Sequence, residues 1–206
     1  GTELDKSLIE RITDPLNRYY DRNFEVEAVK VLPGEYYVTT SEMVLVTVLG
    51  SCVSACIRDR DKGIGGMNHF MLAESADSGG LSSSARYGTY AMEILINHLL
   101  KLGARRSNLE AKVFGGGRVM ASLSSSQVGD RNARFVLEYL ATEDIPVKAQ
   151  DLLDVHPRKI YFFPSNGRVL VKKLVRMHNE TLARREKEYA ARLTEVPVAG
   201  DIELFT

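Results

Sequence analysis

The segment from Phe24 to Ile64 constrains the fold most, because it carries four strand-like stretches in succession. Apolar and β-branched residues dominate each stretch, and glycine, proline or charged residues separate them, which is typical of strands joined by short turns. The predicted strands lie at 26–31, 36–39, 43–49 and 53–58. The front half of the chain is therefore predicted to be rich in β-sheet.

Helix-like spacing follows this half. Apolar residues repeat at intervals of three and four over 86–102, and the repeat stops at Gly103, which is typical of a helix end. The other predicted elements are a short helix within 3–22, a loop over 74–84, a strand at 111–114, a helix over 130–141 capped by Asp130, a hairpin of 160–163 and 169–174, and a charged helix over 177–193. We predict an α/β (α+β) domain at 24–175, preceded by a helical segment at 1–23 and followed by a helix and tail at 176–206.

Charge and hydropathy restrict the partners. The 206 residues include 27 Lys and Arg against 27 Asp and Glu, so the chain lacks the basic excess that nucleic-acid binding requires. Its longest uncharged apolar run, at 43–49, is far shorter than the ~20 residues that cross a bilayer. We therefore expect a cytoplasmic protein without nucleic-acid partners or membrane insertion.

The chain has two cysteines, Cys52 and Cys56. On one strand they would lie ~13 Å apart, well beyond the ~7 Å between α-carbons that a disulfide allows. Two reduced thiols are therefore expected, in a reducing compartment. Their spacing also fails to match a Cys-x-x-Cys redox or zinc signature.

Cys52 is the candidate nucleophile. A buried cysteine is ordinarily a small hydrophobic residue, and we assign Cys56 that structural role. Gly50 and Ser51, however, directly precede Cys52 at the end of a strand. They offer backbone freedom and N–H groups that could form an anion-binding nest beside the thiol.

His69 is the candidate base, because an imidazole titrates near neutral pH and could draw the proton from Cys52. The other three histidines, at positions 98, 156 and 178, have less suitable settings. A zinc site of Cys52, Cys56 and His69 would lack a fourth ligand at recognisable spacing, and no cofactor is expected. This hypothesis requires the sulfur and the ring to meet at a water-accessible cleft.

Three further segments show distinct patterns. The glycines at 115–117 follow a strand but lack the nucleotide-binding spacings, so they form a turn or permit close approach of a substrate backbone. The charge run at 184–188 is typical of a solvated helix face, and we assign it no chemistry. The alternating tail at 202–205 could dock into a partner groove.

Several motifs together resemble the CheD family of chemoreceptor glutamine deamidases of bacterial chemotaxis. The motifs are Val48-Leu49-Gly50-Ser51-Cys52-Val53, Gly65-Gly66-Met67-Asn68-His69-Phe70-Met71-Leu72, Arg86-Tyr87-Gly88, Glu110-Ala111-Lys112-Val113-Phe114-Gly115-Gly116 and Gly129-Asp130-Arg131-Asn132. The resemblance implies a β-sandwich core flanked by helices, similar to the catalytic domain of deamidating toxins. It also implies hydrolysis of glutamine side chains on the cytoplasmic helices of a chemoreceptor, and binding of a CheC-type phosphatase in some bacteria.

The resemblance implies roles for individual residues. Cys52 is the nucleophile, His69 the base, and a threonine on the strand before the cysteine the third catalytic member. Thr47 is the threonine of that strand, one residue nearer the cysteine than in the family pattern, where Val46 stands; a bulge at Gly50 would restore its direction. The implied substrate and oxyanion region comprises Gly50, Ser51, Asn68, Gly115 and Gly116. Some members have a Gly-Gly pair after the aspartate that matches Asp151, where this chain has Leu152 and Leu153.

Two other classes of function remain open. The first is a docking module that regulates chemotaxis by binding a receptor or a CheC-type phosphatase, with the pocket as its docking surface. The second is a cysteine protease or transglutaminase-like enzyme, which would share the Cys52–His69 pair and differ in substrate or acceptor.

Overall fold

The computed structural model describes residues 17–72, 80–119, 123–174 and 176–195. Within them the chain forms ten strands, three α-helices and a short 3₁₀ turn. The strands are β1 (Arg18–Asp21), β2 (Val26–Lys30), β3 (Tyr36–Thr39), β4 (Val44–Leu49), β5 (Val53–Asp59), β6 (Gly65–Asn68), β7 (Leu109–Gly115), β8 (Val147–Leu152), β9 (Arg158–Phe163) and β10 (Arg168–Lys173). The helices are α1 (Gly80–Lys101), α2 (Leu123–Thr142) and α3 (Arg176–Glu195).

The strands form two five-stranded sheets. Sheet I has the order β1-β2-β4-β9-β10, and sheet II has the order β3-β6-β5-β7-β8. Both are mixed, because β2 pairs with β4 and β7 pairs with β8 in parallel, whereas the other pairs are antiparallel. Central strands β4 and β5 are consecutive in the chain but belong to different sheets. Residues 50–52 therefore cross from one sheet to the other.

Two buried layers hold this architecture together. One lies between the sheets and includes Leu45 and Leu49 from β4, Met67 from β6 and Phe162 from β9. The other lies between sheet II and helices α1 and α2. A sheet that buries both faces needs such a layer on each side. The predicted α+β class with a sandwich core flanked by helices is confirmed.

The strands predicted at 36–39, 43–49 and 53–58 match β3, β4 and β5 within one residue, and the predicted hairpin matches β9 and β10. The predicted loop over 74–84 is wrong from Gly80 onward, where α1 begins; 73–79 lie outside the described residues. The helix predicted from Asp130 begins at Leu123, so Asp130 lies inside α2 and does not cap it. Serines occupy the first turns of both helices, and their weak helix propensity, which is typical of loops, is overridden by the rest of each helix.

Strands β6 and β8 were missed, the first because Gly65 and Gly66 carry no side chains that could show alternation. An N-terminal helix up to position 22 is wrong for residues 18–21, which form β1 and pair with β2. Residues 1–16 and the tail at 196–206 lie outside the described part of the chain. Of the helices that the structure describes, none has the length and apolarity of a membrane span.

Candidate active site

The candidate site is built on the crossing loop at residues 50–52, whose carbonyl groups are held from one side. Gly117 N–H donates to Gly50 O at 2.8 Å, and Gly116 N–H donates to Cys52 O at 2.9 Å. Gly115 must be glycine there, since its φ is +106° and an added Cβ would lie 2.2 Å from Cys52 O. The loop is thus fixed by backbone bonds to the end of β7.

Asn132 of α2 fixes the third carbonyl of this loop. Its Nδ2 donates to Ser51 O at 2.8 Å, while its Oδ1 accepts the N–H of Leu72 at 2.8 Å. The side chain is fully buried, so both of its bonds are protected from water. Asn132 belongs to one of the motifs that resemble the CheD family, but the sequence alone indicates no role for it.

With the carbonyls held on one side, the three N–H groups of residues 50–52 converge on the carboxylate of Glu186 in α3. Gly50 N–H donates to Oε1 at 2.8 Å and Cys52 N–H to the same atom at 3.2 Å. Ser51 donates to Oε2 through its N–H at 2.8 Å and through its hydroxyl. These bonds define an N–H nest, and it is occupied by a fully buried glutamate side chain.

The contact with Glu186 shows that the interpretation of the charge run at 184–188 as a solvated face was wrong at that residue. Arg184, Lys187 and Glu188 are exposed as expected, whereas Glu186 is 0 % exposed. The sequence does carry a signal for the burial of Glu186. This residue shares a helix face with Tyr189, Ala190 and Leu193, and that face packs on the core between the sheets.

Thr47 and His69 lie in direct contact between the two sheets. Thr47 Oγ1 lies 2.8 Å from His69 Nδ1 and also donates its hydrogen to Val31 O at 2.7 Å. Since the hydroxyl has one hydrogen, it must accept from His69, so Nδ1 carries the ring proton and Nε2 has a free lone pair. The imidazole is therefore held as the tautomer that a general base needs.

The direction of Thr47 follows from the alternation of β4. Leu45 and Leu49 face sheet II, and Thr47, two residues from each, faces the same way, whereas Val46 packs on the opposite side of sheet I. A threonine at position 46, where the family pattern has it, would thus point away from His69. No strand bulge is needed, because β4 ends at Leu49 before the loop begins.

Strand register places Cys52 and His69 on the same face of sheet II. Val53 pairs with Phe70, so Ser54 lies opposite His69, and Cys52 lies diagonally from the ring. His69 Nε2 nevertheless has no hydrogen-bond partner among the described residues. The backbone N–H of Cys52 donates instead to the Glu186 carboxylate, at 3.2 Å.

The expected opening to water is wrong for this state of the molecule. Cys52 is 0 % exposed and His69 is 1 % exposed; Glu186 of α3 covers the loop at residues 50–52, and the His69 ring lies between the two sheets against Thr47. Burial, and then the charge of Glu186, raises the pKa of the Cys52 thiol well above its ordinary value. Burial, assisted by the nearby Arg185, lowers the pKa of His69 to about 3. Both groups are thus neutral at pH 7.

Asn68 takes no part in the nest. Its Oδ1 accepts Ala55 N–H at 2.8 Å, and its Nδ2 donates to Ala91 O at 3.3 Å, so the amide joins β5 to α1. Gly115 and Gly116 likewise act through the backbone, by holding the loop from behind. The predicted oxyanion donors that face the nest are therefore Gly50, Ser51 and the N–H of Cys52 itself.

A pocket of about 80 Å³ reaches His69 from the side of α1. It is bordered by Gly34 and Tyr87, and it has room for a few water molecules. Among the described side chains no cluster of histidine, cysteine and acidic residues could hold a metal ion, and both cysteines are free thiols.

A thiol beside an N–H nest, on the same sheet face as a neutral imidazole held by a threonine, is the set of groups that thiol-dependent acyl-transfer enzymes use. Comparison with known proteins agrees with this class. The family model described as CheD chemotactic sensory transduction matches residues 71–173. The chain belongs to the CheD family.

Curated relatives match nearly the whole chain. The protein of Dechloromonas aromatica named probable chemoreceptor glutamine deamidase CheD 1 is 67 % identical over 92 % of this chain and 94 % of its own. Proteins named probable chemoreceptor glutamine deamidase CheD from Janthinobacterium and Thiobacillus denitrificans are 64 % and 62 % identical, each over 92 % of this chain and 95 % of their own. A crystal structure of the Bacillus licheniformis hypothetical protein YfiH is 12 % identical with a TM-score of 0.39, over 72 % of this chain and 68 % of that one, too distant for any argument.

Proposed function

We propose that this chain hydrolyses glutamine side chains of chemoreceptors to glutamate and ammonia in the cytoplasm, with Cys52 as the nucleophile. One observation carries the proposal: the nest beside Cys52 holds the carboxylate of a glutamate side chain through three N–H groups. A glutamate is what this reaction produces, so the nest fits the side chain on which it would act. The names of the curated relatives agree with this activity.

In the first half-reaction, His69 Nε2 removes the proton of the Cys52 thiol, and the sulfur attacks the side-chain carbonyl carbon of glutamine. Negative charge develops on the carbonyl oxygen, where Gly50 and Cys52 N–H donate, at the place of Glu186 Oε1. Because these donors are already oriented, they stabilise the charge with little reorganisation. Thr47 keeps the ring proton on Nδ1 throughout.

To complete this first half-reaction, the carbon–nitrogen bond breaks, and the protonated His69 donates to the departing nitrogen, which leaves as ammonia. The enzyme then holds the substrate as a thioester on Cys52. A water molecule attacks this thioester as His69 takes its proton, which releases the glutamate side chain and the thiol.

The direct test is to incubate the protein with the cytoplasmic fragment of a chemoreceptor and to follow peptide masses. A gain of about 1 Da at particular glutamines, absent with Cys52→Ala, is expected, since hydrolysis replaces an amide by a carboxyl group. Backbone cleavage would indicate a protease, and incorporation of an added amine would indicate a transglutaminase. A full biological effect of the Cys52→Ala protein would favour the docking-module alternative.

The partnership with a CheC-type phosphatase, implied by the family resemblance, stays a prediction. It is tested by co-purification of the full chain with such a phosphatase from the same bacterium. Retention of the complex in Cys52→Ala, and its loss after a surface change, would separate docking from catalysis.

The division of the chain into three parts also stays a prediction: a first segment at 1–23, in which residues 18–21 form β1 instead of the expected helix, a deamidase domain at 24–175, and a helix with its tail at 176–206. Limited proteolysis followed by mass analysis would test this division. Cleavage near positions 23 and 175 that leaves the intervening residues intact would agree with it.

A further inference from the structure

Helix α3 is attached to the rest of the protein by a single narrow face. Of its side chains at 184–193, only Glu186 and Tyr189 are buried, and most of the others are exposed. Tyr189 lies one turn beyond Glu186, so both point to the same side. Among the described side chains at 184–193, these two are the fully buried contacts of the helix, and Ala190 and Leu193 pack beside them.

Each of these two side chains enters a prepared position. The Glu186 carboxylate fills the nest, and a Cβ added to Gly50 would lie only 2.7 Å from its Oε1. The Tyr189 ring packs over Gly34, where an added Cβ would lie 3.1 Å from it, and its hydroxyl is hydrogen-bonded to that of Tyr87 at 2.5 Å. The surface therefore accepts an intact α-helix that presents a glutamate at the nest.

We propose that α3 occupies the substrate site as a built-in product analogue, so that the protein at rest is self-inhibited until a receptor helix displaces α3. This inference rests on the proposed deamidase function and adds its regulation and the form of the bound substrate. The substrate is taken up as an unbroken helix, with the reacting glutamine at the place of Glu186 and its third following residue over Gly34 and Tyr87.

The closed state accounts for two features that an active enzyme would not show. Glu186 fills the nest next to Cys52 and helps to raise the pKa of its thiol, and His69 Nε2 is left without a hydrogen-bond partner among the described residues. Removing α3 takes the carboxylate away from the thiol and opens the nest to water. His69 is then the base on the same sheet face as the freed thiol.

The carboxylate also explains why α3 resembles product rather than substrate. Both of its oxygens accept N–H groups, Oε1 from Gly50 and Cys52 and Oε2 from Ser51. An amide offers one acceptor oxygen, so its nitrogen would meet the Ser51 N–H without forming a bond. A helix that carries glutamate is therefore held more firmly than one that carries glutamine.

The first experiment converts the analogue into a substrate by Glu186→Gln in the full chain. We expect the amide at position 186 to be hydrolysed in cis: Cys52 sulfur bonds to the carbonyl carbon, ammonia leaves with a proton from His69, and water releases the carboxyl group. Intact mass with fragmentation should show the conversion. Cys52→Ala in the same chain must abolish it, and the amide of Glu188→Gln, on the exposed side of α3, must persist.

The second experiment measures alkylation of Cys52 by iodoacetamide in a Cys56→Ala background. Glu186→Gln combined with His69→Ala, which prevents conversion, should alkylate at least about tenfold faster than His69→Ala alone, because a hydrogen bond to a charged group is lost. Glu188→Gln with His69→Ala is the matched control and should show no change.

The outcomes separate the two proposals. Equal alkylation rates, or an intact amide at position 186 in a preparation that does deamidate a receptor fragment, overturn self-inhibition while the proposed function stands. If no variant deamidates any cognate receptor, the proposed function fails, and the alkylation rates alone decide whether α3 covers Cys52.

Discussion

The surroundings of the two cysteines differ in what covers each thiol. Cys52 and Cys56 lie four residues apart, both pack in the layer between the sheets, and both are essentially unexposed. Cys56 lies within β5, paired with Met67 of β6 and Lys112 of β7, so a continuous sheet encloses it. Cys52 lies before that strand, beneath one side chain of α3.

This difference teaches that burial alone does not identify an inert cysteine. Exposing Cys56 requires separation of the sheets, which is equivalent to global unfolding. If α3 detaches as proposed, Cys52 is exposed by a local opening, and local openings cost less free energy than unfolding. Burial raises the pKa of both thiols, to about 12 for Cys56. The sheets bury Cys56, whereas Cys52 is also covered by Glu186 of α3, which we propose can detach.

The largest expected effect is a difference in deamidation activity between the variants of the two cysteines. Cys52→Ala should reduce receptor deamidation by at least about 10³-fold, because the covalent intermediate can no longer form. Cys56→Ala should keep activity within about threefold and cost about 1 kcal/mol of stability through a small cavity. Turnover of a receptor fragment and urea unfolding measure the two effects. Equal loss of activity in both variants would remove the distinction.

The next effect concerns Thr47, which positions His69 beside Cys52. Thr47→Val keeps the shape but removes the acceptor for Nδ1–H, so we expect kcat to fall by about 10- to 100-fold with KM unchanged. Thr47→Ser should restore most of the rate. The matched control is Thr39→Val on β3, a buried threonine whose hydroxyl donates to Met43 Sδ, which should leave kcat unchanged.

A smaller effect is a pH dependence of stability centred on His69. Its pKa is about 3 when folded and 6.5 ordinarily, so below pH 6.5 the unfolded chain binds a proton that the folded chain refuses. His69 therefore does not lower the free energy of unfolding above pH 6.5. That free energy falls as pH drops toward 3, and at pH 5 it is lower by about 2 kcal/mol.

Urea unfolding at pH 7 and pH 5 would measure this loss, and His69→Gln should remove that part of it. Cys56 affects stability at the opposite end of the pH range. Burial raises the pKa of its thiol, so the unfolded chain loses that proton first, and the free energy of unfolding falls only as pH rises above about 9. A wild-type curve that matches the His69→Gln curve between these two pH values would contradict the buried neutral imidazole.

The sequence predicted those elements in which apolar side chains recur with the period of a strand or a helix. Alternation located β3, β4 and β5, since each buries apolar residues on a sheet face. The same reasoning failed at Gly65 and Gly66, which enter β6 without side chains, and at Gly80, where α1 begins against its local propensity. Pairing with a neighbouring strand and packing of a whole helix decide such places, and neither is visible locally.

At the site, Cys52 and His69 could be chosen from their flanking residues, whereas Glu186 could not. Its burial depends on where α3 lies in three dimensions, and a run of charges ordinarily indicates solvent. The carboxylate is tolerated inside because three N–H groups meet it, and these belong to residues more than 130 positions away. A buried acid on the apolar face of a helix is the pattern that deserves inspection in other chains.

The smallest effect tests the second docking side chain of α3. Tyr189→Phe keeps the ring over Gly34 but removes a neutral hydrogen bond to Tyr87, so the detached state should become about 2- to 10-fold more populated. The alkylation rate of Cys52 should rise by that factor, while that of Cys56 stays unchanged because the sheets still enclose it. Tyr139→Phe on α2, whose ring stacks on Phe135, is the control and should alter neither rate. A parallel rise at both thiols would mean that Tyr189 stabilises the whole fold, and the contrast between a removable and a permanent cover would then fail.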